Sequence, residues 1–161
     1  MGEKGQNGSQ PLVVVIGAAG LDIKGRASHT LMPGTSAPGE IRNSVGGVAR
    51  NVAENLARLG VQVVLLSAVG EDDMKIMELI TPAYIYANRR WYRDASMVVL
   101  DANVPPKAME SVFKLAGRYG VPVSADPTSA VLAERLKPFL PRLYMVTPNV
   151  PEAEVFCGGH I

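Results

Sequence analysis

Two glycines and an asparagine at the predicted start of a helix have the types and spacing that suit ligand binding. Gly46 and Gly47 carry no side chain, so the backbone N–H groups of a helix start can approach a ligand closely there. Asn51 follows within about one turn, and its amide offers a donor and an acceptor together, which suits a sugar hydroxyl. The alternative is a glycine-linked helix start that carries a surface asparagine, and the spacing alone leaves both interpretations open.

Two other glycine patterns imitate nucleotide-binding loops without completing them. Gly17-Ala-Ala-Gly20 follows a predicted strand but lacks the G-x-G-x-x-G spacing of a dinucleotide site. The stretch from Gly20 to Arg26 has the outline of a phosphate-binding loop but lacks its Lys and its Ser or Thr. A tight exit from the strand explains both patterns better, and a dinucleotide-binding domain is disfavoured.

The composition excludes several classes of partner. The 161 residues include 16 Lys and Arg against 15 Asp and Glu, which gives a formal net charge of +1 and no basic field for nucleic acid or a membrane surface. His29, His160 and Cys157 are the only soft metal ligands, so a zinc site is not expected. The single cysteine allows no internal disulfide and is predicted to be buried or inert. The apolar run Leu12–Leu21 is too short to span a bilayer, and a cytoplasmic location is expected.

Predicted strands and helices alternate along the chain, which indicates an α/β fold with an open, mostly parallel sheet and helices on both faces. Residues 1–11 are predicted to form a disordered leader, and residues 22–44 to form loops with weak strands at most. The predicted strands span residues 12–16, 61–67, 97–101, 121–125 and 143–146. The predicted helices span residues 46–59, 81–93, 105–120, 129–136 and 151–157.

Several segments, in order along the chain, resemble motifs of the PfkB (ribokinase-like) carbohydrate kinases. The stretch GGVARNVAENLARLG at 46–60, followed by VGED at 69–72, is similar to the first signature of that family. The segment at 17–22 resembles the family's first strand, which ends in a sugar-binding aspartate. The segments at 101–105 and 126–127 resemble the ends of its mid-sheet strands. TPNVPEAE at 147–154 resembles its T-P-N-x-x-E-A-E segment. Among the branches, the pseudouridine-kinase-like one is most similar, with general sugar kinases as the alternative.

The resemblance implies transfer of the γ-phosphoryl group of ATP to a hydroxymethyl oxygen of a sugar or nucleoside. Asp22 would accept hydrogen bonds from sugar hydroxyls, and the backbone at Gly46 and Gly47 and the side chain of Asn51 would complete that pocket. Asn103, at the carboxyl end of a strand, would face the same crevice. The structural alternative for Asp22 and Asn103 is that they cap turns.

The resemblance also implies a nucleotide side of the site. Asn149 and Glu152 would act near the triphosphate, with Glu152 reaching Mg²⁺ through metal-bound water. The alternative for Asn149 is a helix N-cap.

Two departures from the family pattern predict that these residues are inactive on their own. The family's general base is an Asp in a Gly-Ala-Gly-Asp motif at a helix start, and the 161 residues contain no such motif. The chain also passes almost directly from Asp72 to Thr81, where the family has a lid strand, a helix and a sheet strand.

We therefore predict that residues 12–161 form a partial, N-terminal ribokinase-like domain of an ATP- and Mg²⁺-dependent kinase family. The alternative function is a non-catalytic module that binds a sugar or nucleoside or pairs with another subunit. An incomplete sheet leaves an unpaired edge, which predicts a homodimer or self-association.

Overall fold

A five-stranded parallel sheet is the centre of the fold, in the strand order β4-β1-β5-β6-β7. The computed structural model describes residues 10–69 and 77–160, so the predicted leader lies almost wholly outside the described residues. Strands β2 and β3 form a separate two-stranded antiparallel ribbon. The strands are β1 (Leu12–Ile16), β2 (Gly20–Ala27), β3 (Gly39–Gly46), β4 (Gln62–Leu66), β5 (Ala95–Asp101), β6 (Val123–Asp126) and β7 (Met145–Val146).

Helices follow most of the sheet strands, as crossover connections between parallel strands require. The described α-helices are α1 (Val48–Arg58), α2 (Pro82–Ala87), α3 (Arg90–Arg93), α4 (Pro106–Tyr119), α5 (Ala130–Ala133) and α6 (Val150–Cys157). Two 3₁₀ helices span Met77–Leu79 and Lys137–Arg142.

Strand β1 is buried on both faces, as its continuous run of aliphatic residues predicts. Val13 and Val15 pack with Ala49 of α1 on one face of the sheet. Val14 and Ile16 belong to the larger cluster on the other face, where α2, α3 and α4 contribute their buried side chains. The predicted mostly parallel sheet with helices on both faces is therefore confirmed.

The ribbon of β2 and β3 is the main element that the sequence prediction missed, because Gly, Pro, Ser and Thr suggested loops there. Leu21 and Ile23 alternate with polar residues along β2, and they face Val45 and Asn43 of β3 in the antiparallel register. This alternation with a period of two is the signal that could have indicated strands.

Smaller differences concern the helices and the cysteine. The predicted helix at 81–93 is divided into α2 and α3, where the side-chain amide of Asn88 donates to the carbonyl of Tyr84 at 3.0 Å and competes for a helix acceptor. The predicted helix at 129–136 shortens to α5 and continues as a 3₁₀ turn. Cys157 was predicted to be buried or inert; it is exposed at the end of α6, so the first of these alternatives is wrong. None of the helices in the described part of the chain has the length and apolarity needed to cross a membrane.

Candidate active site

The buried carboxylate of Asp101 joins three segments at the carboxyl end of β5. It is 1% exposed. Its Oδ2 accepts the N–H of Ala18 at 2.8 Å and the N–H of Ala49 at 3.0 Å, and its Oδ1 accepts the N–H of Asn103 at 3.0 Å. Burial raises the pKa of this carboxyl above its ordinary value, and the N–H donors oppose that rise. The end of β1, the start of α1 and the end of β5 are thereby fixed to one another.

Asp101 supplies the capping acceptor that the start of α1 lacks. The N-cap residue of α1 is Gly47, which has no side chain to accept a hydrogen bond. The N–H of Ala49 goes instead to Asp101, and the N–H of Arg50 goes to the carbonyl of Ala18 at 3.1 Å. Because these donors are already engaged, the start of α1 does not offer them to a phosphate group.

Glycines occupy the positions where side chains or backbone approach too closely for a Cβ. A Cβ on Gly17 would collide with the carboxylate of Asp101, and a Cβ on Gly46 would collide with that of Asp22. Gly47 has a φ of 96°, and a Cβ there would meet the backbone of Ala18. The pair Gly46-Gly47 thus brings β3 and α1 against the loop after β1 and leaves room for Asp22.

A cleft of about 190 Å³ lies where these segments meet. Its walls include Asp22, Gly47, Met77 and Asn103, together with residues 18–21. Three of the five residues predicted to bind substrate, namely Asp22, Gly47 and Asn103, are therefore brought to one cleft at the carboxyl end of the parallel strands. Ligands bind at this position in open α/β sheets.

Gly46 and Asn51 stand outside the walls of this cleft. Gly46 is buried beneath the carboxylate of Asp22 and acts by leaving space. Asn51 is exposed on α1, and its Oδ1 accepts a hydrogen bond from the guanidinium of Arg50 at 3.1 Å. The geometry of Asn51 matches the surface-asparagine alternative, because Ala49 and Ala53 take the side of α1 that packs on the sheet.

Asn149 and Glu152 form a reciprocal capping box at the start of α6. The side chain of Asn149 accepts the N–H of Glu152 at 3.0 Å, and the Oε2 of Glu152 accepts the N–H of Asn149 at 2.9 Å. Glu152 is 4% exposed. Asn149 is therefore a helix N-cap, which was the alternative to a nucleotide contact for this residue. The Nδ2 of Asn149 and the second carboxylate oxygen of Glu152 take no part in the capping box.

Sequence reasoning missed the roles of Asp101, Met77 and Thr128. Asp101 was placed at the end of a strand, but its acceptor role depends on residues far away in the chain. Thr128 accepts a hydrogen bond from the side chain of Asn103 at 3.5 Å. A carboxylate at the end of an otherwise apolar buried strand was the available signal for Asp101, because a buried charge requires partners.

Three other clefts in the described part of the chain contain none of the residues predicted to bind substrate. A larger cleft, of about 460 Å³, lies between the end of α4 and the start of β6, and Arg142 is its only charged lining residue. Among residues 10–69 and 77–160, no group of three or more His, Cys, Asp or Glu side chains could hold a metal ion.

An open parallel α/β sheet with a polar cleft at the carboxyl ends of its strands defines a class of proteins that bind small molecules. Within this class, the sequence pattern described as pfkB family carbohydrate kinase matches residues 10–85. The resemblance to the pfkB carbohydrate kinases is therefore confirmed, and residues 10–85 carry the family match.

Two relatives agree with this match, and a solved structure shares the fold. The uncharacterized sugar kinase YeiI of Escherichia coli strain K12 is 30% identical over 198 residues, covering 94% of this chain and 54% of the relative. The pseudouridine kinase of the same organism is 29% identical over 192 residues, covering 91% of this chain and 61% of the relative. The structure of Arabidopsis thaliana ribokinase complexed with ribose and ATP has a TM-score of 0.65 and 18% identity, covering 93% of this chain and 63% of that one.

The chain spans about half to three fifths of the length of the two curated relatives. Both alignments are also longer than the 161 residues of this chain, so the relatives have residues inside the matched region that this chain lacks. This agrees with the internal shortening predicted between Asp72 and Thr81, a segment of which residues 72–76 lie outside the described residues.

Proposed function

We propose that this chain forms the acceptor-binding side of an ATP-dependent kinase that phosphorylates a hydroxymethyl oxygen of a nucleoside of the pseudouridine type. One observation carries the proposal: Asp22, Asn103 and Met77 line the same cleft, so residues with a carboxylate, an amide and a thioether meet there. A carboxylate binds two vicinal hydroxyls, an amide binds a polar ring edge, and an apolar side chain suits the face of a ring. The 29% identity to a pseudouridine kinase supports a nucleoside acceptor, and the 30% identity to a sugar kinase makes a simple sugar the alternative acceptor.

Three of the residues predicted to bind substrate then have a defined task, and a fourth has little support. Asp22 accepts hydrogen bonds from ribose hydroxyls, and Gly46 leaves the space that its carboxylate occupies. Gly47 forms part of the wall and lets the start of α1 approach the loop after β1. Asn51 is the predicted contact with the least support, because its side chain hydrogen-bonds to Arg50 at the surface.

The proposed cofactors are ATP and Mg²⁺. A structural neighbour of this fold is complexed with ATP. In this chain, a contact with a nucleotide or with magnesium-bound water would be made by the Nδ2 of Asn149 or by the second carboxylate oxygen of Glu152, because the capping box uses their other polar atoms. The burial of Glu152 fits such a contact poorly, so we derive no step of the reaction from it.

The 161 residues bind the acceptor but do not catalyse transfer. Phosphoryl transfer depends on a positioned base and on donors that stabilise the developing charge, and the Gly-Ala-Gly-Asp motif that supplies both in the family is absent from these residues. Asp101 does not replace the missing base, because its carboxylate is buried and already accepts three backbone N–H groups. We propose a cytoplasmic location, in keeping with the single cysteine and the near-neutral charge.

The proposal is tested by titration calorimetry of the chain with pseudouridine. Asp22→Ala removes the carboxylate that accepts the ribose hydroxyls, so the affinity should fall by about tenfold or more. Glu40→Ala is the matched control, since it removes an exposed carboxylate from the same ribbon without touching the cleft. Equal affinities of wild type and Asp22→Ala, or an equal loss in both variants, would contradict the proposed role of Asp22.

A second function, subunit pairing, is favoured by a separate observation. One face of the β2–β3 ribbon presents four aliphatic side chains that are 52–76% exposed: Leu21, Ile23, Ile41 and Val45. An isolated two-stranded ribbon is marginally stable in water, and a contiguous apolar face marks an interaction site. We propose that two copies of this chain pair through this face.

A further inference from the structure

Asn103 is the cleft residue whose side-chain orientation the structure determines. It follows β5 directly, is half-buried, and lines the cleft that also holds Asp22. An asparagine side chain can present either its NH₂ group or its carbonyl oxygen, and which one faces a ligand decides what that ligand must offer. The neighbours of Asn103 therefore determine the specificity of this wall.

Two neighbours hold Asn103 in place. The carboxylate of Asp101 accepts the backbone N–H of Asn103 at 3.0 Å and so fixes its main chain. The hydroxyl oxygen of Thr128 accepts from the Nδ2 of Asn103 at 3.5 Å.

Thr128 reaches Asn103 from a strained turn. Its φ of 66° is the one positive value at a non-glycine residue in the described part of the chain. The N–H of Ser129 donates to the carbonyl of Pro127 at 2.7 Å, which closes a three-residue γ-turn around Thr128. The carboxylate of Asp126 accepts the N–H of Thr128 at 2.7 Å and stabilises this turn. A β-branched residue is unfavourable in this conformation, so the turn is maintained by its surroundings.

With its NH₂ group directed to Thr128, Asn103 retains its carbonyl oxygen for a ligand. We propose that Asn103 presents this oxygen to the cleft and selects acceptors that carry an N–H donor on a nucleobase ring, with Asp101 and Thr128 as its positioning residues. The inference rests on the proposed function and goes beyond it, because it names the chemical group that is recognised. A uracil-type ring has such N–H groups on its edge, whereas free ribose has none.

The test compares three probes by titration calorimetry: pseudouridine, pseudouridine methylated on both ring nitrogens, and ribose. Wild type should bind the methylated nucleoside about tenfold or more weakly than pseudouridine, because an acceptor left without its donor is costly. Asn103→Ala should lose affinity for pseudouridine by a similar factor, abolish the difference between the two nucleosides, and leave the affinity for ribose unchanged. Asn88→Ala is the matched control, since Asn88 donates to Tyr84 outside the cleft.

The positioning role of Thr128 predicts that one variant gains thermal stability while it loses discrimination between the two nucleosides. Thr128→Gly relieves the positive φ and should raise the thermal midpoint, while it weakens the discrimination between pseudouridine and its methylated form. Thr128→Ser retains the hydroxyl and should retain the discrimination. A Thr128→Gly variant with full discrimination would show that Thr128 does not position Asn103.

Other outcomes separate this inference from the proposed function. Equal affinity of wild type for pseudouridine and its methylated form overturns the inference while the proposed function stands, and this comparison needs no variant to fold. An equal loss of ribose and nucleoside affinity in Asn103→Ala also overturns it, because Asn103 would then support the sugar or the fold. If wild type binds neither ribose nor pseudouridine, the proposed function fails and the inference fails with it.

Discussion

At the scale of single residues, Asp101 determines how the cleft is assembled although it does not line it. Its partners, Ala18 and Ala49, are 83 and 52 positions away in the sequence. No local pattern could identify them, because they meet Asp101 only once β1, α1 and β5 are packed. Asp22, Gly47 and Asn103 were predictable because each belongs to a local motif, whereas the acceptor that holds the motifs together was not.

The burial of Asp101 has a consequence for the pH dependence of stability. Burial raises the pKa of this carboxyl in the folded protein above 3.8, its value when exposed. Between the two pKa values the folded protein holds a proton that the unfolded chain has released, so this group lowers stability as the pH rises through that interval. Asp101→Asn cannot titrate. The free energy of unfolding of wild type minus that of Asp101→Asn should therefore fall as the pH rises from about 3.8 through the folded-state pKa, and then level off.

Urea unfolding of both proteins across a pH series measures this difference. Asp94→Asn is the control, since it removes a carboxyl that is largely exposed. A difference that grows with rising pH would contradict the account, because it would mean that the three N–H bonds to Asp101 outweigh the cost of burying its charge.

At the scale of elements, the parallel sheet was predictable and the ribbon was not. Strand β1 has a continuous run of apolar residues and helix α1 has a regular apolar stripe, because the two elements bury these residues against each other. Both faces of the ribbon are largely exposed, and glycine and serine within its strands interrupt the alternation of apolar and polar residues. Its strands pair over eight residues each, yet neither pairs with the main sheet.

The apolar face of the ribbon predicts self-association. Ile41→Lys places a charge on this face, so the dimer should dissociate and the weight-average mass in sedimentation equilibrium should fall towards that of one chain. Glu40→Lys is the control, since Glu40 and Ile41 are adjacent and project to opposite faces of β3. A wild-type chain that remains monomeric at high concentration would exclude pairing through this face, as would an Ile41→Lys variant that dimerises like wild type.

At the scale of the whole molecule, these 161 residues correspond to a little over half of the curated kinases that they match. The cleft with Asp22 and Asn103 is assembled within the described residues. Asn149 and Glu152, which were predicted to face the nucleotide, hydrogen-bond to each other in a helix cap. The motif that carries the family's general base is absent from the sequence. The acceptor side of the proposed kinase site is therefore better supported by these residues than the nucleotide side.

Separate titrations of the chain with pseudouridine and with ATP and Mg²⁺ test this central claim most directly. The account predicts saturable binding of pseudouridine in the absence of nucleotide, little or no binding of ATP, and no ATP-dependent phosphorylation of pseudouridine when both are present. Binding of ATP without binding of pseudouridine would contradict it, as would phosphorylation of pseudouridine that Asp22→Ala abolishes.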